Sequence, residues 1–499
     1  MKKYVFFRFL RSLVSIVLVT TIAFMMIYSL VPRTDIFKND LVYAKLKGIP
    51  DEFVDYENGQ YDKNGYIEFI RTAELCTLAT EDEAGYKDCI ADSGNLDNKY
   101  FVEYGAKNKS LVFEQYPLSK KVYATREIPL LERVTRFYGG FFIVDHPNKV
   151  QDPANPDLKR GLSFGSNSQN LVALNCSGCE NSTLAWIDGN FPFIHQNVVK
   201  INLGTSFPSF AGIPVTDVIG AGQGKMKSVD TVFETGYKGK SPINLNKCTY
   251  KSTDRLDHLD TQRFDSNYAD CKNNFQDPSM IGISMITGVI AVFLAYAIGL
   301  PAGIAMARKK GLLVDNIGVT IITVLISVPS LAFIYFFRFL GNKFLGLPDL
   351  FPALGAGNVL SYVLPTIILG LLSVSGLVIW VRRYMIDQQS TDYVKFAKAK
   401  GLSNKEISRR HIFRNAIIPI VNGIPGSIIL AITGATITET IFAVPGMGKM
   451  LPDSILTHNN PFVMALVLIF TTLSILSIFL GDIAVTMVDP RINLNEGGK

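Results

Sequence analysis

Asp392–Pro419 reads DYVKFAKAKGLSNKEISRRHIFRNAIIP, a polar and basic segment between long apolar runs. Its pattern predicts two short helices meeting at a corner. Ser390 or Thr391 stands where a side-chain oxygen can accept from the free N–H groups of a first helical turn. Tyr393, Phe396 and Ala397 then share one face, because residues three and four apart are neighbours on a helix, while Lys395 and Lys398 point elsewhere. Gly401 is placed to take the left-handed conformation that ends a helix. Ser403-x-x-Glu406 has the form of a capping box, so a second helix runs through Arg409, Arg410 and Arg414 towards Pro419.

The flanking runs are long enough to cross a membrane. Leu13–Val31 is 19 uncharged residues, and further runs lie at about 279–307, 317–337, 357–381, 416–444 and 461–488. A bilayer core of about 30 Å needs about 20 apolar helical residues. The first run has no Ala-x-Ala site behind it and exceeds the apolar part of a signal peptide, so it reads as an uncleaved transmembrane helix. A chain of 499 residues with 48% hydrophobic residues and mean hydropathy +0.23 is a membrane protein with a sizeable soluble part.

Charge orients it. Residues 32–277 carry 28 Lys and Arg against 33 Asp and Glu, a net of −5; the rest carries 21 against 10, a net of +11. The basic excess therefore belongs to the membrane part, where it marks cytoplasmic loops rather than a nucleic-acid surface. Lys2, Lys3, Arg8 and Arg11 precede the first helix, Arg308-Lys309-Lys310 follow the second, and residues 382–414 hold nine basic against three acidic side chains. The expected organisation is a cytoplasmic tip and helix at 1–31 and an extracellular insertion at 32–277. A five-helix core at 278–491 and a cytoplasmic tail at 492–499 follow.

The insertion is rich in Asn, Asp, Gly and Pro, and alternating pieces such as Ser110–Phe113, Gly140–Val144 and Val198–Leu203 predict a mixed, β-leaning domain. All six cysteines lie in it, an even count that suits an oxidising compartment. The simplest pairing is Cys76 with Cys89, Cys176 with Cys179 and Cys248 with Cys271; a metal site at Cys176-Ser-Gly-Cys179 is the competing reading. Gly220–Ser228 (GAGQGKMKS) is one residue short of a phosphate loop and has Met226 where Ser or Thr would hold magnesium. Asp254, Asp257, His258 and Asp260 read as a solvated acidic face before a metal site.

The loop DYVKFAKAKGL followed by RNAIIP resembles the coupling loop of type-1 ABC importer permeases, in the oligopeptide (Opp/Ami) family. Lys395, Phe396 and Ala397 occupy the places of Glu-Ala-Ala in the general Glu-Ala-Ala-x-x-x-Gly pattern, and Gly401 its last; the basic residue resembles the peptide subgroup. Glu439-Thr440-Ile441-Phe442 with Pro445-Gly446-x-Gly448, and Asp489-Pro490-Arg491, resemble later segments of the same permeases. The resemblance spans roughly 280–491 and leaves the insertion unexplained. It implies an all-α polytopic type-1 ABC transmembrane domain of six helices, with the large extracellular domain between the first two. The implied partners are a second permease, two ABC ATPase subunits and an extracellular peptide-binding lipoprotein, with an oligopeptide as substrate.

No nucleotide-binding motif is present, so the chain itself is expected to bind no cofactor and to act as no enzyme, with ATP and magnesium used by the partners. Tyr393, Phe396 and Ala397 are expected to pack on an ATPase, with Lys395, Lys398 and Lys400 as rim charge and Ala399, Gly401 and Leu402 completing the loop. A DNA-binding helix-turn-helix has similar spacing, but membrane runs on both flanks leave no free recognition helix. Glu439 and Asp482 are ionisable groups at costly depth, candidates for the pathway or for a helix-fixing role. Ser327, Ser330 and Thr436 suit a polar passage or helix packing equally. A membrane sensor, or a permease for sugar or amino acid, are the rival functions. Intact mass before and after reduction, with thiol alkylation, should count six oxidised cysteines; six free thiols on the native protein would remove the disulfide reading.

Overall fold

The computed structural model describes residues 2–149, 159–167, 170–187, 194–220, 229–232, 238–241, 243–249, 270–273, 280–355 and 358–488, with side chains left out at 2–4, 229–273 and 432–434. The Asp489-Pro490-Arg491 stretch, the residues after it, most of the GAGQGKMKS segment and the acidic group at 254–260 lie outside the described residues. Among those described, five helices are long and apolar enough to cross a membrane, or six if one bent pair is a single span.

The first span is α1 (Lys2–Leu30). The insertion follows, and its first part is more helical than alternation suggested: α2 (Leu41–Leu46), α3 (Pro50–Lys63), α4 (Thr72–Ala79), α5 (Glu83–Ala91), α6 (Lys99–Lys107) and α7 (Leu130–Gly139) surround a three-stranded antiparallel sheet. That sheet is β1 (Ile67–Ile70), β3 (Val122–Glu127) and β2 (Val112–Gln115) in that order. The signal for α7 was present: Leu130, Val134 and Phe137 fall on one face and pack on Phe24 of α1 and on Met464. Arg126 and Arg136 hydrogen-bond Glu68 of β1 and hold its carboxyl down at about 2.

The second part is β-rich, as expected. β4 (Phe142–Val144) pairs with β9 (Val199–Ile201), and β5 (Gly161–Ser166), β6 (Val172–Ser177), β7 (Thr183–Ile187) and β8 (Ile194–Gln196) make a four-stranded sheet. Disulfides join Cys76 to Cys89 across α4 and α5, and Cys176 to Cys179 across a turn. β10 (Val229–Val232) pairs with β11 (Lys238–Ser241), and β12 (Ile243–Thr249) with β13 (Asp270–Asn273). Cys248 and Cys271 stand opposite each other in the last ladder, but their side chains lie outside the described residues.

The membrane half begins with α9 (Met280–Arg308). Next come α10 (Leu313–Ser327), α11 (Ser330–Leu345) and α12 (Leu360–Gln389). α9 and α12 run side by side in the same direction. Gly299 and Gly303 permit this: a Cβ at either would fall 2.8 Å from Leu377 or 2.7 Å from Val381. The run expected at 317–337 is not straight. α10 and α11 meet at 107°, because Pro329 has no N–H to give and holds Val328 in an extended conformation (φ −76°, ψ 126°). The pair still crosses the bundle. Ile322 packs with Met306 and Val378 at one end of α9 and α12, whereas Gly341 abuts Leu364 at the other.

After the loop, Phe413–Gly434 (α15) and Thr436–Phe442 (α16) form one long span; the short α13 and α14 before it are described below. α17 (Met447–Leu456) and α18 (Asn460–Val488) close the chain. α18 packs antiparallel to α1. Arg8 and Asp482 pair at 2.6 Å near one end, and Phe24 meets Met464 near the other.

The insertion is seated on these helices, not tethered to them. Leu203 and the α8 residues (Val215–Gly220) Val215, Val218 and Ile219 share a core with Met280, Met447, Phe462 and Leu466. Asn459, fully buried, donates to Ser206 Oγ and Ser209 Oγ at 2.8 Å each, and Asn460 donates to the Tyr66 hydroxyl at 2.7 Å. Asn459→Leu should strand those buried groups at a cost of about 1–3 kcal/mol. Limited proteolysis would report it as faster cleavage inside the insertion, with the membrane helices still inserted; an unchanged cleavage rate would mean the seat does not depend on this residue.

Candidate functional site

Two polar centres lie at opposite ends of the bundle, one on the side of the insertion and one on the side of the Asp392–Pro419 loop. On the loop side, α13 (Asp392–Ala399) begins after Thr391, which holds the N-cap position without a capping bond; its hydroxyl donates back to the Gln388 carbonyl at 2.7 Å. Gly401 has φ +77°, and a Cβ there would meet nothing within 4 Å, so backbone conformation and not space requires glycine. Ser403 caps α14 (Asn404–Glu406) by accepting from Glu406 N at 3.3 Å. A π turn at Ile407–Ile412 then leads into α15.

The face of α13 differs from expectation at Ala397 and at Tyr393. Ala397 is turned inward and is 4% exposed, beside Val394 at 1%. Both join Ala307, Val381, Met385, Ile407, Ile412 and Ala416 in a core of the chain's own residues, with Tyr393 and Leu402 partly buried on it. Val394 and Ala397 are three apart, so they make the buried stripe, and Ala397 is not free to pack on another subunit. Tyr393 donates its hydroxyl to Gln388 Oε1 at 2.7 Å. What remains outward is Phe396, 63% exposed with the Lys400 ammonium 4.7 Å from its ring centre, together with Lys395, Lys398, Ala399 and Gly401. Lys395 pairs with Asp392 at 2.8 Å. The outward surface is thus one aromatic ring amid lysines.

Three polar ties, missed in the sequence, join the helix ends around this loop, and the first of them reaches the loop itself. Arg308 Nε donates to Ser408 Oγ at 2.8 Å, and Gln389 Nε2 to the Ala307 carbonyl at 2.9 Å. Arg382 grips Asp315 with two hydrogen bonds of 2.6 and 2.9 Å, and Gly311 N adds a third at 2.9 Å. Asp315 is 2% exposed. The available signal was an isolated acid opening an apolar run just after a basic cluster.

On the insertion side, Glu439 is 3% exposed and acts as a backbone clamp. Ser284 Oγ donates to Glu439 Oε1 at 2.6 Å and itself accepts from Met447 N at 2.7 Å; Lys449 N donates to Oε2 at 2.9 Å. Thr436 Oγ1 donates to the Gly448 carbonyl at 2.8 Å. A Cβ on Gly446 would strike the carboxylate, so the Glu-Thr-Ile-Phe segment and Pro-Gly-x-Gly are one interlocked unit. Glu439 and Thr436 therefore fix the turn into α17. Asp482 fixes α18 to α1 through Arg8. Ser327 and Ser330 flank the bend, both exposed, with Ser327 bonded to the Thr323 carbonyl at 2.7 Å.

Residues 299–494 match the family described as binding-protein-dependent transport system inner membrane component. The chain is 48% identical to the oligopeptide transport system permease protein AmiC of Streptococcus pneumoniae over 503 aligned residues, covering all of both chains and hence the insertion. It is 34% identical to the dipeptide permease DppB of Lactococcus lactis, over 42% of this chain and 69% of that one, and 31% identical to DppB of Bacillus subtilis over 43% and 69%. The chain is a multi-pass membrane protein and belongs to the binding-protein-dependent transport permeases, in their oligopeptide (Opp/Ami) branch.

Proposed function

We propose that the chain is the permease subunit of an ATP-driven oligopeptide importer, lining half of the pathway beside a second, related permease. The full-length likeness to an oligopeptide permease, insertion included, carries this reading and leaves a sensor or a sugar or amino-acid permease without comparable support. The loop side faces the cytoplasm, where the basic residues collect, and the insertion faces outward.

Two ATPase subunits dock on the loop, and they, with ATP and magnesium, do the hydrolysis. Phe396 supplies the apolar contact and Lys395, Lys398 and Lys400 the surrounding charge, which orients docking more than it strengthens it. Val394 and Ala397 work inward: they make α13 a rigid extension of α12 and α15, so a push on Phe396 moves helix ends and not a free loop. On the outer side, the insertion sits over the mouth and receives a peptide-binding lipoprotein, keeping peptide from escaping at hand-over.

Reconstituting the chain with its second permease, the ATPases and the binding protein tests the reading. ATP-dependent uptake of labelled peptides is expected; uptake of amino acids or sugars in their place would overturn the substrate class. Phe396→Asp should insert normally and lose the ATPases. Gly401→Val should cost about 1–2 kcal/mol in the left-handed region and reduce uptake with ATPases still bound. Copurification and uptake together check both, and a Phe396→Asp complex that keeps its ATPases and imports normally would remove the docking assignment.

A further inference from the structure

The bent pair α10–α11 is fastened at its two ends to opposite ends of the same two helices, α9 and α12. α11 belongs to the outer side. Phe333 and Ile334 pack with Ile283, Leu364, Ile368 and Phe442, and Arg338 Nη1 donates to the Ile441 carbonyl at 3.0 Å. The start of α10 belongs to the inner side, where Asp315 and Ile322 are its buried residues among those described, while Leu325 near its end packs on the outer cluster. Between the two arms, Ser327, Val328, Pro329 and Ser330 are all exposed, and Pro329 interrupts the helical hydrogen bonding.

The inner hold leads directly to the loop. Arg382, which grips Asp315, stands next to Val381, and Val381 and Met385 pack against Val394 and Ala397 on the buried face of α13. A carboxylate this buried cannot let go of its guanidinium without losing two of its three hydrogen bonds. α10 must therefore travel with the inner end of α12 and with α13.

We infer that Asp315 and Arg382 are positioning residues for transport. Their ion pair makes α10 follow the inner end of α12 and, through it, α13, so that movement of the ATPases reaches the α10–α11 pair. The inference rests on the proposed docking of ATPases at Phe396, and it assigns the pair to transmission, separate from docking.

The test uses the complete reconstituted complex with binding protein and labelled peptide. Asp315→Asn keeps the shape but loses the charge; it should assemble with the ATPases and hydrolyse ATP, yet consume at least about tenfold more ATP per peptide imported. Arg382→Lys, which replaces a two-pronged grip by a point charge, should behave in the same direction. The exchange Asp315→Arg with Arg382→Asp should restore most of the coupling. Wild-type ATP per peptide in both single variants, loss of the ATPases from both, or an exchange that stays uncoupled would each overturn the inference. Phe396→Asp run in parallel separates the two ideas: retention of ATPases by that variant sinks the docking reading itself, whatever the Asp315 variants do.

Discussion

A carboxylate inside a bilayer has no water to turn to and must find its hydrogen bonds in protein. Three acids in the membrane half answer it, two with hydrogen bonds and Asp482 with an ion pair, and each joins two parts of the chain. Asp315 binds α10 to α12 through Arg382, Glu439 binds α16 to α9 and to the turn before α17, and Asp482 binds α18 to α1 through Arg8. Apolar packing gives little sideways specificity in lipid, because lipid tails satisfy a leucine as well as another leucine does. Close glycine contacts between α9 and α12 and these three joints therefore specify which helix lies beside which.

The joints are distributed by side. On the loop side, the Asp315 joint and the Arg308 and Gln389 bonds merge the ends of α9, α10, α12 and α15 with α13 into one block. On the insertion side, Glu439, Asn459 and Asn460 merge α9, α17 and α18 with the soluble domain. α9 runs through both blocks, which suits a subunit that relays movement from one face of a membrane to the other.

Much of this was legible in the sequence where local chemistry governs. Gly401 at positive φ, the Ser403 cap and the six apolar runs follow from rules acting within one turn or one span. The loop face was half legible. Phe396 and the lysines are outward as read, but Ala397 faces in, since helical spacing gives the faces and not which of them the rest of the fold will cover. The same limit hid the Asp315–Arg382 pair, whose members stand 67 residues apart. Pro329 announced a bend, yet a bend of 107° also depends on what the two arms pack against. In the insertion, short alternating pieces drew attention from the amphipathic helices around them, and α7 in particular is shaped by α1, which it covers.

The seat of the insertion also constrains how the polypeptide is made. Tyr66 waits for Asn460, a partner 394 residues downstream, and α1 waits for α18. The soluble domain emerges from the ribosome long before either partner exists. Its disulfides close within 13 and 3 residues and need nothing further along the chain, so it can hold a provisional shape while the later helices are threaded. Side-by-side contacts of such high separation are slow to find, and until α18 arrives the lower surface of the domain and one flank of α1 lie bare. Much of the chain is thus made before its partners, and α18, its last described helix, is the piece that completes both halves at once.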